Sequence, residues 1–570
     1  MKEIPKLKEK TYLLEEFGGI DKRTTYSDAC GSFDIVNFEI EHDGSLRKRC
    51  GFRRLMQLPF AISAIWTGNI GGKFSGYVLA DKRVYSIDPD SASFSLIGSI
   101  PDEYTQADFF CYRGVVYLIN GSGIYRVSDG SLARPHGYVP LVGKDWAPLV
   151  IGEINEPRNM LNNRGRITYF MGDDPSSFLK TDSPISSVDA LYVNGVKRPA
   201  DTYEISAIPR TVSVRDLNAG DRVEMIFTYA EALPGLDEVF ANTRAIVFGG
   251  INNTRPFLWG GNNKSSMFSS AYVSDRALRE SLERFPESDA LYFPAGYDFT
   301  VGDGRCPITA VSRHYDRLLI FTQEGAWAAN SSSCGIEDFP TMSINSSYGA
   351  ASPGGAALLG NQPCTISAHS IMRWTSDTEE LDECNAYSIS GPIANMLDDA
   401  FFKSAKVFAD KKHDRLIFCS PALSGVMLVY YPQRNAWVRF LTIDADAFFD
   451  AGSNVGFIKG RNLYVFDESC VRDEGSVAIV GAFEGNSLDF GSTEHKRLSE
   501  ATVEATCGSL TLKATLDGKP FEELFSFNTG GEHVKLTKRI NARRFKSARF
   551  MLRAIGDVKQ KIHSLCVTVN

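Results

Sequence analysis

Residues 407–440 read VFADKKHDRLIFCSPALSGVMLVYYPQRNAWVRF. A β-rich run meets a polar tight turn, an apolar strand follows, a second turn intervenes, and a strand rich in aromatics closes the unit. The same grammar returns along the chain: at 76–97 (GYVLADKRVYSI, then FSLI), at 108–127, at 310–327 (AVSRHYDRLLIFTQEGAW), at 356–374 and at 447–466 (AFFDAGSNVGFIKGRNLYVF). A weaker copy spans 241–272. The repeat is ~40–50 residues, the period of propeller blades. A lone four-stranded blade exposes two apolar faces; stacking blades round an axis covers both, and closing the ring removes exposed sheet edges. These units predict an all-β fold, a β-propeller of about seven blades with six to eight allowed. The early strand Phe33 to Glu41 and the basic stretch Ser45 to Leu55 are expected to complete the last blade, which ends short.

Two stretches break the pattern. Between 143 and 235, alternating strands and an Asn194-Gly195 turn lack the blade grammar, which predicts a small β domain inserted between blades. From 476 a different β pattern begins, with an Asp517-Gly518 turn, and predicts a C-terminal β-sandwich of about eight strands. The expected division is therefore 1–142 (N-terminal arm and first blades), 143–235 (insert), 236–475 (remaining blades) and 476–570 (sandwich). Helical periodicity is nearly absent. Its best example, Ser274 to Phe285, offers Ser274 and Asp275 as caps and reads as a short surface helix within a connection.

Composition sets outer bounds. The 570 residues carry a net charge of −8, which argues against a broadly nucleic-acid-binding surface without excluding a local basic lining. The eleven cysteines include no C-x-x-C pair, so neither zinc nor redox spacing is visible, and buried thiols are expected over disulfides. The opening MKEIPKLKEKTYLLEEFGG is charged where a signal peptide needs an apolar run, and no segment approaches the ~20 apolar residues of a membrane span. Synthesis and folding in a cytoplasm are the expectation.

The search for catalytic chemistry yields little. No nucleophile elbow, zincin motif, Walker loop or dinucleotide fingerprint occurs, and no cofactor is expected. Gly302-Asp303-Gly304 reads as a turn, since flanking oxygen ligands are missing. Gly249-Gly250 and Gly260-Gly261-Asn262-Asn263 lack a following helix to hold phosphate. His314 and His413 each stand just before an Asp-Arg pair at equivalent points of the repeat, which points to a blade turn rather than an acid–base pair. Asp444 and Asp446 alternate onto one face, as a glycosidase pair could, yet a solvated rim is the simpler reading. The basic run Arg47, Lys48, Arg49, Arg53 and Arg54 is either a solvated strand face or a contact to DNA or an acidic subunit. A second cluster, Lys535, Lys538, Arg539, Arg543, Arg544, Lys546 and Arg549, suggests a partner surface on the sandwich.

The opening phrase carries a resemblance. Gly18, Gly19, Ile20 and Asp21, then Asn37, Phe38, Glu39, Gly44, Leu46, Lys48, Arg49, Gly51 and Phe52 resemble the N-terminal signature of propeller-type bacteriophage tail proteins. NNTRPFLWGGNN (252–263), the stretch 292–327, YYPQRNAWVRF (430–440) and SLDFGSTEHKRL (487–498) follow in the same order. The group includes the tail nozzle and hub proteins of short-tailed phages. The resemblance implies a non-enzymatic virion protein of the tail: a homo-oligomeric ring, a hexamer by analogy, that extends or seals the DNA conduit below the portal. Portal, adaptor and other tail proteins would be its neighbours, and genomic DNA would pass without sequence-specific contact. Recognition of a host-surface glycan or protein at the tail tip stays open as a second class, and a glycan-cleaving propeller as a third. Exposure of Trp259, Trp374 and Trp437 on one face would favour glycan binding; burial of all three between blades would favour assembly.

Overall fold

The computed structural model describes residues 9–570 apart from 24–30, 102–103, 105, 129, 147–154, 209, 250–252, 316, 331–340, 376–384 and 541–543. Its blades form because each hairpin is local. Ile62–Ile70, Lys73–Ala80, Arg83–Asp88 and Ser93–Ser99 pair antiparallel in chain order as blade I. Blade II spans 108–133, blade III 244–300, blade IV 308–345, blade V 356–388 and blade VI 406–441, each of four antiparallel strands. Blade VII takes three strands from 447–467 and its fourth, Gly51–Gln57, from the N-terminal arm.

Shared apolar clusters join each blade to the next. Tyr77 and Leu79 meet Phe109 and Leu118 (I–II), and Phe110 and Tyr117 meet Leu258 (II–III). Phe257 and Trp259 meet Leu318 and Ile320 (III–IV), and Phe321 meets Trp374 (IV–V). Ile366, Phe418 and Phe457 share the largest cluster (V–VI–VII), and Val465 with Leu55 returns to Val78 and Tyr85 of blade I. The circle is closed. Fully burying such side chains is worth roughly 1.5–3 kcal/mol each, which is why this repeat needs its neighbours.

The closing strand differs in one respect from expectation. Gly51–Gln57 pairs with Asn462–Asp467, from Gly51↔Asp467 to Gln57↔Asn462. Residues 33–41, expected in the same blade, lie elsewhere. Ser32–Val36 runs between Ala436–Leu441 of blade VI and Gly481–Gly485 of the sandwich, merging both into one nine-stranded sheet. Phe38–Ile40 pairs with Leu46–Lys48, which lies against Lys561–Val569 in the opposite sandwich sheet. Lys10–Leu14 pairs with the other end of Lys561–Val569. The sandwich is thus not complete within 476–570. Asn37 makes the switch, its φ of 53° turning the chain from one sheet to the other.

The insert is a β unit with its own core of Ile167, Tyr169, Leu191, Val223 and Phe227. Its Asn194-Gly195 turn has both residues at positive φ, as a two-residue hairpin requires. Helix Asp275–Arg284 lies in the link between the third and fourth strands of blade III, and the Ser274 side chain caps it by accepting from the Ala277 N–H. No described helix is long and apolar enough to cross a membrane.

Candidate functional site at the propeller–sandwich seam

Most of the opening phrase converges on one place, where blades VI and VII meet the sandwich. Three-residue strands cannot hold a register by themselves, so side chains fix it. Asn37 Oδ1 accepts from the Leu441 N–H at 2.8 Å and from Arg49 Nε at 3.0 Å, and its Nδ2 donates to the Val480 carbonyl. Arg49 has no exposed side-chain surface and grips Asp473 through Nη1–Oδ1 (2.8 Å) and Nη2–Oδ2 (2.6 Å). Such bidentate pairing gives direction as well as attraction.

A second buried network adjoins it. Glu39 accepts from Arg415 Nη1 at 2.6 Å and from Arg47 Nη2 at 2.7 Å. Arg415 Nε in turn reaches Asp410 Oδ2 (2.8 Å), which also meets His413 Nδ1 (2.7 Å). Burial alone would raise the Glu39 carboxyl, but the Arg415 and Arg47 guanidiniums outweigh it and hold it below the ordinary range. Burial is likewise overcome at Asp410, by His413 and Arg415. Desolvation pushes the neighbouring Cys50 thiol up to about 12, so this thiol stays protonated and unreactive. On the outer side Lys561 Nζ bridges Glu41 and Asp43 at 2.8 Å each.

Glycines carry the close approaches. A Cβ on Gly19 would lie 2.4 Å from the Trp437 nitrogen, and one on Gly51 would lie 2.0 Å from the Arg472 carbonyl oxygen. Phe52 then sets its ring edge-on against Phe457, Tyr464 and Phe466 at 5.0, 5.5 and 6.2 Å.

These contacts correct the reading of the first basic run as a DNA or subunit surface. Arg47 is held by Glu39 and Glu41, Lys48 donates to the Gly556 carbonyl from a buried position, and Arg49 is wholly internal. Only Arg53, paired with Asp467, and Arg54 are exposed. Sequence reasoning missed this, although a signal existed: Gly44 sits in a turn that sets Glu39 opposite Arg47 in hairpin register.

The second cluster differs. Lys535, Lys538 and Arg539 project from the exposed edge strand His533–Arg539, and Arg544 and Lys546 are exposed beyond it. Arg543 lies outside the described residues. Lys535 approaches Glu504 at 3.5 Å.

The other singled-out groups fall into place individually. His413 belongs to the seam network on the first hairpin of blade VI, and His314 is buried on the matching hairpin of blade IV, while Asp316 lies outside the described residues. Asp444 and Asp446 are both held by Lys459, at 2.7 and 3.3 Å. Gly302 and Gly304 occupy a positive-φ turn. Trp259, Trp374 and Trp437 are all buried, with 7, 1 and 0% exposure. The eight described cysteines are unbridged, and no group of three or more described His, Cys, Asp or Glu residues has the spacing to hold a metal ion.

No family model and no curated protein matches the chain. Among solved structures it is similar to the AfRom2 CNH domain, with 5% identity and a TM-score of 0.35, covering 73% of this chain and 99% of that one. A chain of a mitotic checkpoint complex gives 8%, 0.34, 69% and 87% in the same order, and a glycoside hydrolase gives 10%, 0.22, 90% and 99%. Likenesses this distant speak to neither substrate nor partner.

Proposed function

We propose that this chain is a structural subunit of a bacteriophage tail, a ring-forming nozzle- or hub-like protein that extends or seals the DNA conduit and works through its interfaces. The observation that carries this reading is the seam. The residues whose order resembles propeller-type tail proteins are those that weld the sandwich to the propeller, from Gly19 against Trp437 to Arg49 on Asp473. A part that must hold shape under load needs such a weld more than it needs a cleft. Burial of all three tryptophans favours assembly, since none of them offers a glycan a stacking face. The chain is read as non-enzymatic because the one carboxylate pair that suggested a glycosidase, 444 and 446, is bridged by Lys459 on an exposed rim.

Within this reading the exposed cations of the sandwich edge serve as the partner surface, and the first basic run does not. Recognition of a host surface draws on one observation, the exposed Phe170, Phe178, Val196, Ile205 and Ile208 of the insert. The deciding experiment is native mass measurement of the purified protein together with composition analysis of isolated tails. A ring in solution or in tails is expected. A strict monomer absent from virions refutes the assembly reading.

A further inference from the structure

The first strands of the blades line the axis, and those of blades VII, I, II and III and of blades IV, V and VI touch in succession. All seven begin at the same mouth of the propeller, which opens a cavity of about 580 Å³. That is the size of an ordinary small-ligand site. Small side chains keep it open. Ala64, Ala107, Ala310, Ala356 and Ala447, from five different blades, line it where larger residues would fill the axis.

The hydrogen-bond inventory of this mouth is lopsided. Its two acids are already occupied. Asp108 accepts from the Phe109 and Ala245 N–H groups and faces Arg244, while Asp446 accepts from the Gly460 N–H and from Lys459. Of its three cations, Arg244 has Asp108 beside it but hydrogen-bonds to a carbonyl, and the two lysines form no ion pair among the described residues. Arg244 donates through Nη1 to the Ala107 carbonyl, Lys406 donates to the Asp446 carbonyl, and Lys403 makes no ion pair among the described residues. Arg and Lys carry five and three N–H donors, so most of the cationic donors at this mouth are unspent while both of its carboxylates are engaged.

We propose that the mouth is a binding socket for an oxyanion, a carboxylate or phosphate group carried by a small molecule or by an acidic side chain of a partner segment. Lys403, Lys406 and Arg244 hold the charge, and the alanine-lined wall accepts the apolar body behind it. The inference does not depend on the tail reading: an anion socket at the axis would serve any propeller, and ring formation would survive its loss.

The test is calorimetric titration at low ionic strength with three probes: inorganic pyrophosphate, citrate and tetraglutamate. Saturable one-site binding of at least one probe is expected, and comparing the two small anions with the peptide distinguishes a free anion from an acidic segment. K403A/K406A and R244Q should each weaken binding roughly tenfold or more, as loss of charge-assisted hydrogen bonds requires. R276A/R279A, on the exposed helix of blade III, should leave it unchanged. Far-UV dichroism and melting temperature confirm that each variant is folded. Asp102 and Glu103 precede Gln106 of the socket in the chain and lie outside the described residues. Saturable binding confined to D102N/E103Q would overturn the proposal, as would no saturable binding of any probe or equal loss in R276A/R279A.

Discussion

Two basic clusters that look alike as text have opposite fates in space. Arg47, Lys48 and Arg49 are drawn inward, each spent on Glu39 and Glu41, the Gly556 carbonyl or Asp473. Lys535, Lys538 and Arg539 stay outside on an edge strand whose other side has no pairing partner among the described residues. Net charge cannot separate them. Cross-strand register does not separate them either, since Glu39 faces Arg47 while Glu504 and Glu500 face Lys535 and Arg539. What separates them is place, the first run lying where blades meet sandwich and the second on an exposed edge strand. An edge strand rich in lysine also resists unwanted strand addition, so the second cluster guards the sheet as well as offering a docking charge.

The sharpest way to break this contrast is Arg49→Ala. It leaves Asp473 buried without its partner and should cost about 3–5 kcal/mol by urea denaturation. The double change R49M/D473L should recover much of that loss, since removing both charges spares the desolvation penalty. Gly51→Ala comes next. Its new methyl collides with the Arg472 carbonyl at the start of the closing strand, and a loss of about 1–3 kcal/mol is expected in the same assay.

Acid titration probes the seam differently. Glu39 and Asp410 have folded pKa values held below their unfolded ones, so their contribution is complete above about pH 4–5 and drains away as pH falls through the depressed values. The urea midpoint of the wild type should therefore drop between about pH 5 and 2, and Glu39→Gln should flatten that slope. An unchanged slope would remove Glu39 from the ledger of acid-sensitive groups. The smallest stability effect belongs to the outer cluster: K535Q/K538Q/R539Q, which removes the charges without setting like charges opposite Glu504 and Glu500, should shift stability by only about 0.5 kcal/mol. If these cations are the partner surface, the same variant should be depleted from isolated tails, read by quantitative mass spectrometry. Normal incorporation would reduce the cluster to edge protection.

The blades were legible because their information is local. Each hairpin pairs residues a few positions apart, and turns such as Arg113-Gly114 and Asn194-Gly195 announce themselves with positive φ. The insert was legible for the same reason. The seam was not, since Lys10–Leu14 meets Leu565–Val569 and Arg49 meets Asp473 across more than 400 residues of chain. Phe38–Ile40 and Leu46–Lys48 are three residues each, too short for alternation to show which sheet they join. The reading that put residues 33–41 into the last blade therefore failed at Asn37, where a single left-handed residue redirects the strand. The axial socket left a faint trace only, alanines recurring at the starts of blades, which cannot be told from ordinary strand composition without the ring.

The borrowed strand Gly51–Gln57 sets the order in which this molecule can be finished. Its partner, Asn462–Asp467, and the later Lys561–Val569 that receives Lys10–Leu14 leave the ribosome long after the segment that needs them. Early blades can assemble while translation runs, but Gly51–Gln57 must wait for Asn462–Asp467 and Lys10–Leu14 for Leu565–Val569. Closure is a late step, slowed by its sequence span, and a nascent chain stalled before residue 462 lacks the partner its closing strand needs.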